Sequence, residues 1–382
     1  MRYFLAKRAE GPALIIAERI DEIAQQLQKE GLSDQFNPSY TRMVPAHHLL
    51  ELQLVGCPDP NPVLTRFFAP KRNRLPANID QIGANYIGQL AEVCDQWLKT
   101  VPETEPIGVM FSGGIDSGAV LVVLDYLLRR CGQSPSRLKA FTLAVDGDPS
   151  DSVQAREFLK KINREMYLEV IDVPKQDLSW QDAVRVIEDY KPLDVQSATM
   201  GLALLKALRK RYPDWKHLID GDGGDENLKD YPIEENPELT IRSVLGNRML
   251  YQEGWGVDAV KHSLVYSGGQ SRGHVRTSAP AAALGFSGFS PFAVPNVIEV
   301  AEEVPFVALT DWDHEKLYDL KGSIVSSGVR QVTGIEMPTY PKQRFQRGAA
   351  DAATFESVFP KDDQEYRDAF KTAFVDEAES LN

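Results

Sequence analysis

From Glu105 to Asp220 the chain alternates short apolar runs with longer amphipathic stretches, and that rhythm leaves few folds open. Ile107–Phe111, Lys139–Val145, Met166–Val173 and His217–Asp220 read as strands. Between them run helical patterns over Gly118–Arg130, Ser152–Ile162, Ser179–Tyr190 and Val195–Tyr212. Repeated strand–helix–strand units build a parallel sheet, because each crossover helix must lie across a face of the sheet. Such a doubly wound sheet holds its ligand beyond the carboxyl ends of the strands. Chemistry is therefore expected just after Phe111, Val145 and Asp220.

The flanks are less regular. A helix is expected near Pro12–Lys29, then short strands broken by turns over Thr41–Pro70. Asn78–Lys99 carries an apolar stripe at helical spacing. Beyond Tyr231 the pattern becomes helical and irregular, and the Gly-, Ser- and Ala-rich stretch Tyr266–Pro291 reads as a surface loop. No internal repeat is evident. A length of 382 residues suits two domains, drawn as 1–77 and 78–382.

Composition narrows the function. Forty-two basic against fifty-five acidic residues give a net charge of -13, which repels phosphate backbones and anionic lipid. No nucleic-acid or membrane partner is expected, and no apolar run approaches the roughly 18 residues of a spanning helix. Cys57, Cys94 and Cys131 lie far apart without zinc-ligand spacing, as free thiols of a cytoplasmic protein would.

The strongest motif is Phe111-Ser112-Gly113-Gly114-Ile115-Asp116-Ser117-Gly118, between a strand and a helix. Paired glycines let backbone amides fold around an anion, the Ser112 and Ser117 hydroxyls add donors, and the following helix presents its positive end. No lysine follows, unlike the loop that grips a transferred γ-phosphate. Asp116 would repel a phosphate unless a divalent cation lay between them, so it reads as a magnesium ligand. A second segment, Asp220-Gly221-Asp222-Gly223-Gly224-Asp225-Glu226, ends the strand His217–Asp220. It lacks the ligand alternation of a calcium loop, and Asp225 reads as the second carboxylate on the same magnesium.

Together the two segments resemble the synthetase domain of the asparagine synthetase family, N-type ATP pyrophosphatases with a PP-loop. Two further stretches are similar to the family: Pro192–Ser197, and Pro341–Gly348 with its lysine, Lys342. The resemblance spans roughly residues 80–350 and implies an α/β fold, an adenine-nucleotide-hydrolase-like five-stranded parallel sheet with a helical C-terminal part. It implies ATP and Mg2+, and formation of an acyl-adenylate that an amine converts to an amide. Site roles follow by the same resemblance. Ser112, Gly113, Gly114, Asp116 and Ser117 would hold the phosphates, and Met110, Leu143 and Gly221 the adenosine. Lys342 would stabilise charge at the acyl centre, with Arg344 and Arg347 helping to neutralise pyrophosphate. Lys321 would stand on the phosphate side and Asp222 at the incoming amine.

The chain also departs from the family. It begins Met1-Arg2-Tyr3 rather than with a nucleophilic cysteine, and residues 1–77 look like the remnant of a glutaminase-like domain. Ammonia from a glutaminase partner, or an amine, would then be the second substrate beside a carboxylic acid, and a homodimer is compatible with the family. The family's GLExRxPF segment is Gly285–Phe292 here, without its charges, so aspartate is not the expected acid. Asp222 stands where the β-lactam-forming branch has a tyrosine. Intramolecular closure of that type, tRNA thiolation and an inactive nucleotide-binding scaffold remain the alternatives.

Overall fold

The computed structural model describes residues 1–38, 41–44, 47–53, 63–147, 150–230, 233, 240–246, 274–340 and 348–376. An antiparallel hairpin opens the chain, β1 (Arg2–Arg8) against β2 (Gly11–Ala17), and the helix α1 (Ile20–Lys29) follows. The sequence had suggested one helix over Pro12–Lys29. Its first half is instead a strand, because Gly11 at φ 128° closes a tight turn and every residue from Gly11 to Ala17 pairs with β1. Long-range pairing outweighs local helical periodicity there. β3 (Arg42–Met43) joins the other edge of β1, and β4 (His48–Glu51) pairs with β5 (Val63–Arg66) in a separate hairpin. Arg2 Nε bonds Glu188 Oε2 at 2.9 Å with both side chains buried, tying this sheet to the main body.

The main body is the expected α/β layer structure. After α2 (Ile79–Leu98) come β6 (Ile107–Met110), α3 (Ile115–Arg130), β7 (Leu138–Val145), α4 (Ser150–Lys161) and β8 (Leu168–Val173). Then follow α5 (Trp180–Ile187), α6 (Pro192–Arg211), β9 (His217–Ile219) and the short α7 (Gly224–Leu228). Four strands stand where their apolar runs placed them. The fifth, β10 (Ser287–Phe289), lies inside the stretch read as a surface loop, whose residues 266–273 fall outside those described. A three-residue Ser-Gly-Phe edge strand has no apolar run to betray it. It exists through parallel pairing with His217–Ile219 and the stacking of Phe289 on Trp97, 5.2 Å between centroids.

All five strands run parallel in the order β10-β9-β6-β7-β8. Chain direction across the sheet reverses at β6, so the carboxyl ends of β6 and β9 border a crevice at a topological switch point. Among the described residues the further α-helices are α8 (Ile241–Gly246), α9 (Ala279–Ala283), α10 (Pro295–Glu302), α11 (Phe306–Thr310), α12 (His314–Thr333), α13 (Ala352–Val358) and α14 (Asp363–Lys371). α12 packs on α2 so closely that a Cβ on Gly328 would sit 2.2 Å from the Gly83 carbonyl oxygen. That contact fixes the depth at which α12 presents its side chains toward the switch point.

Candidate active site

The Ser112–Ser117 loop folds from β6 into α3 with Gly113 at φ 73°. A Cβ there would lie 2.6 Å from the Ala155 amide nitrogen, so α4 and the left-handed turn together exclude any larger residue. Inside the loop, Gly114 N donates to Ser112 Oγ at 3.2 Å and Ser117 Oγ donates to the Gly114 carbonyl at 3.3 Å. No side chain caps α3, whose first turn carries Asp116. Loop amides, two hydroxyls and an uncapped helix start form a donor set of the kind that takes phosphate oxygens.

The second acidic segment closes over the first. Cβ atoms added at Gly221 and Gly224 would lie 2.6 Å from Ser117 N and 2.1 Å from Asp116 Oδ1. Gly221, expected at the adenosine, thus also lets the β9 loop touch the β6 loop. α7 is anchored by Asn227, whose amide donates to the Tyr86 hydroxyl at 3.2 Å and the Phe292 carbonyl at 2.8 Å.

Asp116 and Asp225 meet on one point, and Lys321 of α12 occupies it. The Lys321 ammonium is 2.6 Å from Asp116 Oδ2, contacts Asp225 Oδ1, and lies 3.5 Å from Asp230 Oδ2. Lys321 is 2% exposed. Burial, together with Asp225 and Asp230, pushes the Asp116 carboxyl up to about 7 against the pull of the ammonium. Burial likewise opposes the charge on Lys321, but the three carboxylates outweigh it and hold its pKa well above the usual lysine value. Asp116 Oδ1 is buried and has no hydrogen-bond partner among the described residues. Two converging carboxylates with an orphaned oxygen beside a phosphate-type loop fit Mg2+, which keeps waters and shares phosphate oxygens. Among the described residues no group of three or more His, Cys, Asp or Glu side chains is arranged to hold a metal unaided.

A second acidic cluster stands beside the first. Asp222 accepts a hydrogen bond from the Thr277 hydroxyl, and burial pushes its carboxyl up to about 6. Asp220 accepts from Ser290 Oγ at 2.9 Å and from the Asp222 amide at 3.0 Å, and burial beside Asp222 raises its pKa well above the usual range. Arg276 clamps Asp194 at 2.8 and 2.9 Å. Burial works against its charge, but Asp194, Glu226 and Asp222 hold its pKa above the ordinary value.

Of the residues named from sequence, Ser112, Gly113, Gly114, Asp116, Ser117, Gly221, Asp222, Asp225 and Lys321 gather at this edge of the sheet. Met110 stands half-buried at the end of β6, whereas Leu143 is packed into the core within β7. Lys342, Arg344 and Arg347 lie outside the described residues. The chain re-enters at Gly348, and Ala349 O accepts from Val145 N at 3.1 Å, at the carboxyl end of β7. Sequence reasoning missed Asp230, Arg276, Thr277 and Ser290. Arg276, Thr277 and Ser290 sit in the stretch read as loop, where Ser and Thr carry no signal until a buried carboxylate is placed against them.

Residues 99–271 match the asparagine synthase family model, and the match includes both glycine-rich acidic motifs. Over that stretch the chain is similar to the synthetase domain of the asparagine synthetase family, a family of ATP-dependent amide ligases, and the α/β fold agrees with that likeness. No curated protein matches the chain. Among the described residues no helix is long and apolar enough to cross a membrane.

Proposed function

We propose that the chain is an AMP- and pyrophosphate-forming amide ligase that adenylates a carboxylic acid and passes the acyl group to ammonia or an amine. The convergence of Asp116 and Asp225 at the mouth of the Ser112–Ser117 loop carries this reading, because it pairs a phosphate cradle with a two-carboxylate metal site. ATP would bind with its β- and γ-phosphates in the loop, while Met110 and Gly221 line the adenosine; Leu143, expected there from the resemblance, is packed in the core and would act only from behind. Asp116 and Asp225 would hold Mg2+, which when bound neutralises phosphate charge. The loop amides and the α3 terminus then stabilise the departing pyrophosphate, and Lys321 adds a compact positive charge on that side. The acid attacks the α-phosphorus, and the adenylate leaves AMP as a good leaving group for the amine.

Asp222 takes the proton of the incoming amine. A carboxyl pushed up to about 6 is a stronger base than an ordinary aspartate, and the Thr277 hydroxyl fixes one of its oxygens. Lys342 is proposed to stabilise the acyl oxyanion. Residues 1–77 are proposed to be the remnant of a glutaminase-like domain, with nitrogen supplied as free ammonia, by a glutaminase partner, or as an amine.

The test is incubation with ATP, Mg2+ and a library of carboxylic acids, reading nucleotide and phosphate products. AMP and pyrophosphate are expected for at least one acid. ADP and inorganic phosphate would contradict attack at the α-phosphorus. Isotopically labelled ammonia then identifies amidation by ammonia, since neither ring closure nor an amine acceptor incorporates the label.

A further inference from the structure

Lys321 is an unusual neighbour for a metal site. Its ammonium lies 2.6 Å from Asp116 Oδ2, in contact with Asp225 Oδ1 and 3.5 Å from Asp230 Oδ2. The close crossing of α12 on α2 sets its depth, two turns before Gly328. Without it, three carboxylates would face one another across a buried space, where like charges repel far more strongly than in water. The cation therefore sits where Asp116 and Asp225 converge, the place a divalent ion would have to share.

We propose that Lys321 is the resident counter-ion of this carboxylate pair: it keeps Asp116 and Asp225 converged while the site is free of nucleotide, and a divalent cation enters only together with nucleotide phosphates. The inference rests on the reading above, in which that pair is the metal site. A divalent ion arriving alone would surrender hydration to carboxylates whose charge an ammonium already partly offsets, and would be repelled by that ammonium. A triphosphate in the loop changes both terms. It offers the flexible lysine head new anionic oxygens, and its own charge offsets the repulsion between ammonium and metal. Asp116 Oδ1 is buried against Gly224 and has no hydrogen-bond partner among the described residues, so an ion reaching the pair has to compete with Lys321 at Asp116 Oδ2 and Asp225 Oδ1.

The test uses manganese(II) as the probe and its electron paramagnetic resonance signal as the readout, with the full chain and no acid substrate. Wild type is expected to leave the free manganese signal unchanged, and, once α,β-methylene-ATP is added, to quench it beyond what the nucleotide does in a protein-free control. Lys321→Met is expected to bind manganese alone at least about tenfold more tightly than wild type, because the repelling charge is gone. Lys321→Gln, which retains a hydrogen-bond donor without the charge, guards against misfolding of the methionine variant and is expected to behave the same way. Wild type binding manganese alone as tightly as the variants, or neither variant gaining affinity, would overturn the inference. If the manganese pattern holds but no acid yields pyrophosphate, the ligase reading fails and the counter-ion role stands.

Discussion

Two acidic clusters border the same crevice, and they are held by different partners. Asp116, Asp225 and Asp230 surround a buried ammonium, whereas Asp220 and Asp222 are met by the hydroxyls of Ser290 and Thr277, with Arg276 close by. An ammonium fixes charge and suits a region that must also accept phosphates and a metal. A hydroxyl orients a carboxylate without removing its capacity to take a proton. On the proposed function, the phosphate side of the reaction would fall to the first cluster and the nucleophile side to the second.

The largest expected effect breaks the first cluster. Asp225→Asn should lower pyrophosphate formation by about a thousandfold or more, because it removes a proposed metal ligand and a partner of Lys321. Asp222→Asn should act on the other side. Amide formation should fall by about a hundredfold, while acid-dependent ATP–pyrophosphate exchange falls far less. Equal losses in both assays would merge the two clusters into one function. Thr277→Val should reduce amide formation by about tenfold, with Thr277→Ser retaining most of it, since serine keeps the hydroxyl to Asp222 that valine lacks.

The smallest effect is on stability. The folded state holds the Asp222 carboxyl at about 6, above its unfolded value, so between those values the folded chain binds more protons. Stability contributed by the protonated form is therefore present at low pH and lost as pH rises toward and through about 6. Asp222→Asn should flatten that slope in thermal melts, gaining about 2 °C relative to wild type at pH 7. A steeper slope in the variant would show that Asp222 is stabilised as the charged form.

Much of this architecture was legible in residue order. Ile107–Met110 and Leu138–Val145 announced themselves as buried parallel strands by short, mostly apolar runs, and the glycine–acid motifs fell at the strand ends where a switch point requires them. The misses share a cause. Gly11–Ala17 has local helical spacing but is held by pairing with Arg2–Arg8, and Ser287–Phe289 is a strand only because His217–Ile219 lies beside it. Lys321 could be suspected from resemblance, yet its seat between two aspartates follows from the α2–α12 crossing. Thr277, likewise, is one hydroxyl among many until the fold sets it against Asp222.

The central claim is attack by a carboxylate at the α-phosphorus of a nucleotide whose outer phosphates lie in the Ser112–Ser117 loop. It is tested most directly by supplying the accepted acid with both carboxyl oxygens as oxygen-18 and weighing the nucleotide product. One oxygen-18 atom in AMP is the predicted result. Label in inorganic phosphate, or AMP that carries none, would contradict the account.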